Sequence, residues 1–207
     1  MVEQIDWTTF LVSYHQAVDE LKVKLRGMRK QYEIEKQYSP IELVTGRVKP
    51  VASILSKADR KGIPLNQIDE QLQDIGGIRI VCQFVDDIYT IVKLLYARHD
   101  FEVIEEKDYL KEKKSSGYRS FHLIVRYPVA TIHGEKFVLV EIQIRTLAMN
   151  FWAINEHSLN YKYSGEIPEQ IQMRLQRAAE AAFQLDEEMA KIREEVQEAQ
   201  WIFHKKK

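Results

Sequence analysis

The chain has 207 residues and a mass of 24.4 kDa, a length typical of one globular domain. Hydrophobic residues make up 45% of it and charged residues 29%, which excludes a chain that is disordered throughout. Lys and Arg number 30 against 31 for Asp and Glu, so the net charge of −1 excludes a polycation that coats nucleic acid. The net charge gives no indication of RNA binding, although it does not exclude a local basic patch.

The single cysteine, Cys82, excludes an intrachain disulfide and a cysteine-cluster metal site. No apolar run approaches the ~20 residues that span a membrane. The N-terminal residues lack the basic start and apolar stretch of a signal peptide. We therefore expect a cytoplasmic protein that does not bind membranes.

Long amphipathic helices are predicted at both ends of the chain, over residues 1–36 and 168–199. Apolar residues recur at alternating spacings of 4 and 3 from Trp7 to Tyr32, and again from Ile171 to Val196. These two stripes fit interfaces between subunits and fit helix packing within one chain equally well.

The middle of the chain, residues 40–165, predicts a mixed sheet with helices around it. Pro50 and Gly62 bracket a predicted helix, and His133-Gly134 indicates a hairpin turn. The order of elements predicts an α/β (α+β) fold in one domain over residues 1–207. Strands are predicted at 77–84, 101–104, 120–127 and 137–144, and helices at 86–98 and 147–161.

Two carboxylates occupy unusual positions in this pattern. Glu141 lies in an apolar strand, where alternation places it on one face with Gln143 and Arg145. A carboxylate in such a strand is costly unless something binds it. The alternatives are a pair with Arg145 or a neighbouring Arg on a solvated sheet face, and a ligand site. Asp74 precedes two glycines that open a strand, which fits either an ordinary turn or the close approach of a ligand.

Basic residues cluster at two places. The first cluster surrounds the predicted helix that begins near Pro50 and consists of Arg47, Lys49, Lys57 and Arg60, with Ser53. It is either a polyphosphate cradle or a solvated helix face. It lacks the spacing of a Walker A loop. A second basic loop contains Lys113 and Lys114 and leads through Tyr118 to His122. Tyr118 could stack on a base or pack in the core, and His122 could be structural. Paired carboxylates suit Mg²⁺, basic groups suit phosphates and an aromatic ring suits a base, so together they indicate phosphoryl-type transfer.

Five ordered motifs resemble the synthetase domain of the RelA/SpoT-type alarmone synthetase family. They are Gly46-Arg-x-Lys, Asp74-x4-Arg, Gly117-Tyr-Arg-Ser-x-His, Glu141-Ile-Gln-Ile-Arg-Thr and Trp152-Ala-x2-Glu-His. The length and flanking helices resemble the stand-alone small alarmone synthetases of the RelQ type.

The resemblance implies a nucleotidyltransferase-like fold that transfers the β,γ-pyrophosphate of ATP to the 3′-OH of GDP or GTP, giving AMP and ppGpp or pppGpp. It implies that Asp74 and Glu141 are catalytic and bind Mg²⁺, with Glu141 as the base for the 3′-OH. The residues implied on the ATP side are Arg47, Lys49, Ser53, Lys57, Arg60, Arg79 and Lys107, the last standing where an Arg is common. Those implied on the GDP/GTP side are Lys114, Tyr118, His122 and Gln143.

The resemblance also implies a homotetramer, in which an alarmone effector binds between subunits. The matching positions for that allosteric site are Lys22, Arg26, Arg29, Glu42 and Asn150. The His-Asp-x-x-Glu-Asp signature of the family's hydrolase is missing, because the only His-Asp pair, His99-Asp100, is followed by Phe101. We therefore expect synthesis without hydrolysis.

Two other functions stay open at this stage. One is a toxin of the same fold that pyrophosphorylates the 3′ end of tRNA, which should need a more basic surface. The other is a non-catalytic regulator that binds RNA or nucleotides, which would have no need of paired carboxylates.

Overall fold

The computed structural model of the protein describes residues 5–112, 114–163 and 167–205. The predicted limits at residues 1, 165 and 207 lie outside these ranges, as does Lys113. The helices are α1 (Trp7–Ile34), α2 (Val51–Lys61), α3 (Ile68–Gln71, preceded by a 3₁₀ turn at Leu65–Gln67), α4 (Val85–Tyr96), α5 (Leu147–Lys162) and α6 (Glu169–Lys205). The strands are β1 (Leu43–Val48), β2 (Gly76–Cys82), β3 (Glu102–Asp108), β4 (Phe121–Thr131) and β5 (Gly134–Thr146).

The strands form one mixed sheet of five strands in the order β1-β2-β5-β4-β3. β2 and β5 are parallel, and the other neighbours are antiparallel. The hairpin predicted at His133-Gly134 is confirmed, because Thr131 pairs with Gly134 across the turn between β4 and β5. The predicted fold class, a mixed sheet flanked by helices with long helices at both ends, is likewise confirmed.

One face of this sheet is apolar and is covered by α1. Gly46, Ile78, Ile142 and Leu123 are successive cross-strand partners on that face, and the last three are buried. A Cβ on Gly46 would lie 2.7 Å from Val18 Cγ1 of α1, so glycine is what allows the helix to approach the strand.

The two terminal helices use their apolar stripes differently. In α1 the stripe residues Tyr14, Leu21 and Leu25 are fully buried within the chain. In α6 the stripe is largely exposed, with Leu185 56% and Met189 43% accessible. The stripe of α1 therefore serves packing within the chain, while the stripe of α6 faces outward. Among the described residues, no helix combines the length and apolar character needed to cross a bilayer.

Both edge strands differ from the sequence-based expectation. No strand was predicted around Gly46, where the structure has the edge strand β1, and β3 continues past the predicted end at Ile104 to Asp108. Edge strands carry polar and charged side chains where they meet solvent, as in Glu105, Glu106 and Lys107, which removes the apolar alternation that reveals an inner strand.

Candidate active site

The opposite face of the sheet is polar, and a row of side chains crosses all five strands on it. Cross-strand pairing connects, from β3 to β1, Lys107, His122, Gln143, Arg79 and Thr45. The adjacent row contains Glu141 opposite Gly77, which in turn pairs with Arg47. Since cross-strand partners point to the same side of a sheet, residues from four predicted motifs share this face.

Asp74 lies just before β2, at the end of the polar face near β1. Its Oδ2 accepts hydrogen bonds from Lys49 Nζ and Lys57 Nζ, each at 2.5 Å. Its Oδ1 is buried and has no hydrogen-bond partner among the described residues. One carboxylate oxygen is thus neutralised by two ammonium groups, while the other is left for a group from outside the chain.

Glu141 is held by hydrogen bonds at both of its carboxylate oxygens. His122 Nδ1 lies 2.9 Å from Glu141 Oε1, and Gln143 Nε2 donates to Oε2 at 2.7 Å. His122 Nε2 lies 2.8 Å from the hydroxyl of Tyr118. The carboxylate is therefore fixed in orientation by neighbours on β4 and β5.

Both carboxyl groups have pKa values below their usual range. Burial tends to raise the pKa of Asp74, and the adjacent ammonium groups of Lys49 and Lys57 outweigh it. Burial also tends to raise the pKa of Glu141, and the contacts with His122 and Gln143 outweigh it. Each group is therefore an anion near neutral pH, which is the form that binds a cation or accepts a proton.

A cavity of about 170 Å³ lies between these carboxylates and is lined by Arg47, Asp74, Arg79, Glu141 and Gln143, among others. The Nε of Arg79 is buried there without a hydrogen-bond partner among the described residues. Burial lowers the pKa of Arg79, and the nearby guanidinium groups of Arg145 and Arg47 lower it further. A buried guanidinium with an N–H still available to donate suits an anionic ligand.

The remaining residues predicted for ATP are outside the lining of this cavity. Ser53 and Arg60 are exposed on α2, one turn to either side of Lys57. Lys107 lies at the other end of the polar row, on β3, where its Nζ forms an ion pair with Glu105 at 2.7 Å.

The loop before β4 brings aromatic and basic groups together. Lys114 Nζ lies 4.0 Å from the centre of the Tyr109 ring and 4.8 Å from that of Tyr118. Burial lowers the pKa of Lys114. Tyr118 is half-buried, and its ring meets those of Tyr109 and His122 edge to face.

The residues predicted for an effector site lie mainly between α1 and β1. Arg26 donates to the Val44 carbonyl at 3.0 Å, and Arg29 donates to the carbonyl of Glu42. Lys22 forms an ion pair with the exposed Asp19 on its own helix, 2.6 Å away. The fifth residue is on α5: the side-chain oxygen of Asn150 is buried without a hydrogen-bond partner among the described residues.

Two buried arginines next to the site had no predicted part in binding or catalysis. Arg145, 4% exposed, donates to the Tyr118 hydroxyl and to Gln143. Arg119 pairs with Glu180 of α6 at 2.9 Å and lies 3.5 Å over the Phe183 ring. The alternation Glu141, Gln143, Arg145 signalled that Arg145 shares their face, whereas no local pattern indicates the contact of Arg119 with α6.

A family model described as the region found in RelA / SpoT proteins matches residues 46–166, which contain both carboxylates and all of the polar row except Thr45. The chain belongs to the RelA/SpoT family. It is 67% identical over 201 residues to the GTP pyrophosphokinase YjbM of Bacillus subtilis (strain 168), covering 97% of this chain and 95% of that protein.

Solved structures within the RelA/SpoT family have the same fold. The small alarmone synthetase 1 from Bacillus subtilis bound to its product pppGpp superposes with a TM-score of 0.90 at 66% identity, over 92% of this chain and 98% of that one. The same protein bound to AMPCPP gives a TM-score of 0.83 at 63% identity, over 93% and 98%. The similarity therefore extends over the terminal helices as well as the matched region.

Proposed function

We propose that this chain is a (p)ppGpp synthetase, a GTP pyrophosphokinase that transfers the β,γ-pyrophosphate of ATP to the 3′-OH of GDP or GTP. The observation that carries the proposal is the pair of ionised carboxylates, Asp74 and Glu141, on a polar sheet face lined with cations. Similarity to relatives named GTP pyrophosphokinase and solved with pppGpp and AMPCPP supports the choice of nucleotides. We propose a cytoplasmic location for this chain, where ATP and GTP are available.

In the proposed reaction the ribose 3′-oxygen attacks the β-phosphorus of ATP. A bond forms between that oxygen and the β-phosphorus, while the bond to the oxygen bridging the α- and β-phosphates breaks, and AMP leaves. The 3′-OH proton passes to Glu141, whose ionised state and fixed orientation suit a general base. Pyrophosphoryl transfer otherwise requires positioning and charge neutralisation, which the surrounding cations supply.

Asp74 and Glu141 would hold Mg²⁺, with the unpartnered Asp74 Oδ1 as a ready ligand. No cluster of three or more His, Cys, Asp or Glu side chains that could hold a metal occurs in the described part of the chain. This agrees with Mg²⁺, which usually takes one or two carboxylates together with substrate phosphates. When bound, the ion would neutralise negative charge on the transferred group.

The residues that would contact the two nucleotides form two groups. Near Asp74, the ATP phosphates would contact the cradle made of Arg47, Lys49, Ser53, Lys57, Arg60 and Arg79, with Lys107 against the adenine. Near β4, the acceptor nucleotide would contact Lys114, Tyr118, His122 and Gln143. In the cross-strand pairing, the ATP-side residues Arg47 and Arg79 on β1 and β2 lie on one side of β5, which carries Glu141, and His122 on β4 lies on the other. Lys107 on β3 lies beyond His122.

The direct test supplies Mg²⁺ and γ-labelled ATP together with GMP, GDP, GTP or tRNA in separate reactions. We expect the label in a guanosine 3′-diphosphate product, released with AMP, from GDP or GTP. Glu141→Gln, which keeps the shape of the side chain and removes its charge, serves as the inactive control. Label that enters only tRNA, or no acceptor at all, would contradict the proposal.

We also propose that the chain forms a homotetramer through α5 and α6. An apolar groove of about 570 Å³ runs between these helices, and its lining includes the exposed residues Leu147, Phe151, Leu185 and Met189. Exposed apolar patches of this kind mark interaction surfaces. Light scattering at micromolar concentration should give the mass of four chains, and Leu185→Asp with Met189→Asp should reduce it. A mass of one chain for the unaltered protein would refute the assembly.

We further propose that the alarmone product binds as an effector between subunits, at Lys22, Arg26, Arg29, Glu42 and Asn150. The cluster of cations on α1 and the unpartnered side-chain oxygen of Asn150 support this assignment. Adding pppGpp to the synthesis assay should change the rate, and Arg26→Met should weaken the response. An unchanged rate at saturating pppGpp would count against the site.

A further inference from the structure

Two arms of hydrogen bonds connect Arg145 to the two carboxylate oxygens of Glu141. In the first arm, Arg145 Nη2 donates to the Tyr118 hydroxyl at 2.5 Å, that hydroxyl meets His122 Nε2, and His122 Nδ1 meets Glu141 Oε1. In the second arm, the same Nη2 donates to Gln143 Oε1 at 2.8 Å, and Gln143 Nε2 donates to Glu141 Oε2. The arms begin at one guanidinium and end on one carboxylate.

The chemistry of the two ends determines the direction of the bonds at Arg145 and at Glu141, and for a neutral His122 these fix the direction of the Tyr118–His122 bond as well. A guanidinium can only donate, and an ionised carboxylate can only accept. The Tyr118 oxygen accepts from Arg145, and its one proton is directed to His122 Nε2 when that imidazole is neutral. An imidazole that accepts at Nε2 carries its proton on Nδ1, which then donates to Glu141. Likewise, Arg145 orients the amide of Gln143 with its oxygen inward and its NH₂ toward Glu141.

We propose that Arg145 is a positioning residue for the reaction: through Tyr118 and Gln143 it sets the tautomer of His122 and the orientation of the Gln143 amide, so that both oxygens of Glu141 receive a donor. This inference rests on the proposed role of Glu141. It also gives the Tyr118 hydroxyl a function distinct from base stacking, because the ring alone would suffice for stacking. Arg145 is well placed for such a role, since it is almost fully buried and also donates to Ser120 Oγ at 3.3 Å.

The tautomer of His122 is the measurement that tests the proposal without nucleotide or activity. Long-range ¹H–¹⁵N NMR distinguishes a proton on Nδ1 from one on Nε2, and His122→Asn identifies the signal. We expect Nδ1–H in the unaltered protein and a mixture of tautomers in both Tyr118→Phe and Arg145→Met. Arg119→Met removes a buried arginine outside both arms and should leave the tautomer unchanged. A proton on Nε2, or on both nitrogens, in the unaltered protein would overturn the proposal.

Kinetics test the consequence for catalysis. Loss of a partner that orients a ligating side chain typically costs about 10–100-fold in activity. Tyr118→Phe and Arg145→Met should therefore lower kcat by about that factor, with smaller changes in KM for either nucleotide. In a His122→Asn background the amide nitrogen can donate to Glu141 whatever its neighbour, so Tyr118→Phe should have no further effect there. An equal loss in both backgrounds would overturn the proposal.

The two proposals fail in different ways. An unaltered protein that makes no guanosine 3′-diphosphate from labelled ATP contradicts the proposed function, whatever the tautomer of His122. A protein that makes the product but carries the His122 proton on Nε2 contradicts only the role of Arg145. If Arg145→Met does not fold, Tyr118→Phe still tests the first arm of hydrogen bonds, because it removes only one hydroxyl from a half-buried ring.

Discussion

Gly117 lies in the loop that carries Tyr118 and packs against helix α6. A single methyl group added at this position should disturb acceptor binding selectively. The φ of Gly117 is +83°, and a Cβ at this position would lie 2.6 Å from Ala179 Cβ, well inside the usual contact distance. The left-handed conformation alone costs a non-glycine residue about 1–2 kcal/mol. That corresponds to roughly a 5–30-fold loss of the native loop conformation, to which the clash adds.

We therefore expect Gly117→Ala to raise KM for GDP or GTP by about 5–30-fold from the backbone strain alone, and by more once the clash is included. KM for ATP should change much less. Steady-state kinetics with each nucleotide varied in turn, together with a melting curve, measure this. Ala179→Gly in the same chain removes the clash but not the backbone strain, so it should recover part of the loss.

Gly134→Ala is the matched control, because Gly134 in the β4–β5 turn also has a positive φ, +103°, and nothing lies within 4 Å of where its Cβ would stand. It should lower the melting temperature without changing either KM. The reasoning is refuted if Gly117→Ala raises both KM values equally, if Ala179→Gly recovers nothing, or if Gly134→Ala has the same kinetic effect.

Three further predictions concern charged groups. Glu141→Gln and Asp74→Asn should fold normally, as checked by circular dichroism, and lose at least ~10²-fold in turnover at saturating Mg²⁺ because each removes a carboxylate proposed to act in catalysis. Lys107→Arg should lower KM for ATP, since a planar guanidinium stacks on adenine better than an ammonium held by Glu105; an unchanged KM would place the adenine elsewhere. Although burial tends to raise the pKa of Asp100, its ion pairs lower it to about 2, so its stabilising effect is present above pH ~4 and lost as the pH falls toward 2. Urea unfolding should therefore show a difference between the unaltered protein and Asp100→Asn that shrinks from pH 5 to pH 2, and a constant difference would contradict this.

Local patterns in the sequence predicted much of the fold and part of the site. The alternation of Glu141, Gln143 and Arg145 follows from the two-residue period of a strand, which needs no knowledge of its neighbours. The stripe of α1 likewise follows from helical spacing. Edge strand β1, with Thr45, Gly46 and Arg47 at its centre, was not predicted, and neither was the charged second half of β3, because neither has the apolar alternation of an inner strand.

The contacts that make the site depend on pairings between distant parts of the chain. Asp74 meets Lys49 and Lys57 across separations of 25 and 17 residues, and the link from Tyr118 to Arg145 spans 27. Local periodicity predicts which face a residue occupies wherever its helix or strand is recognised from the sequence. Which of these residues meet depends on strand order and register, and these are set by burial of the whole apolar face.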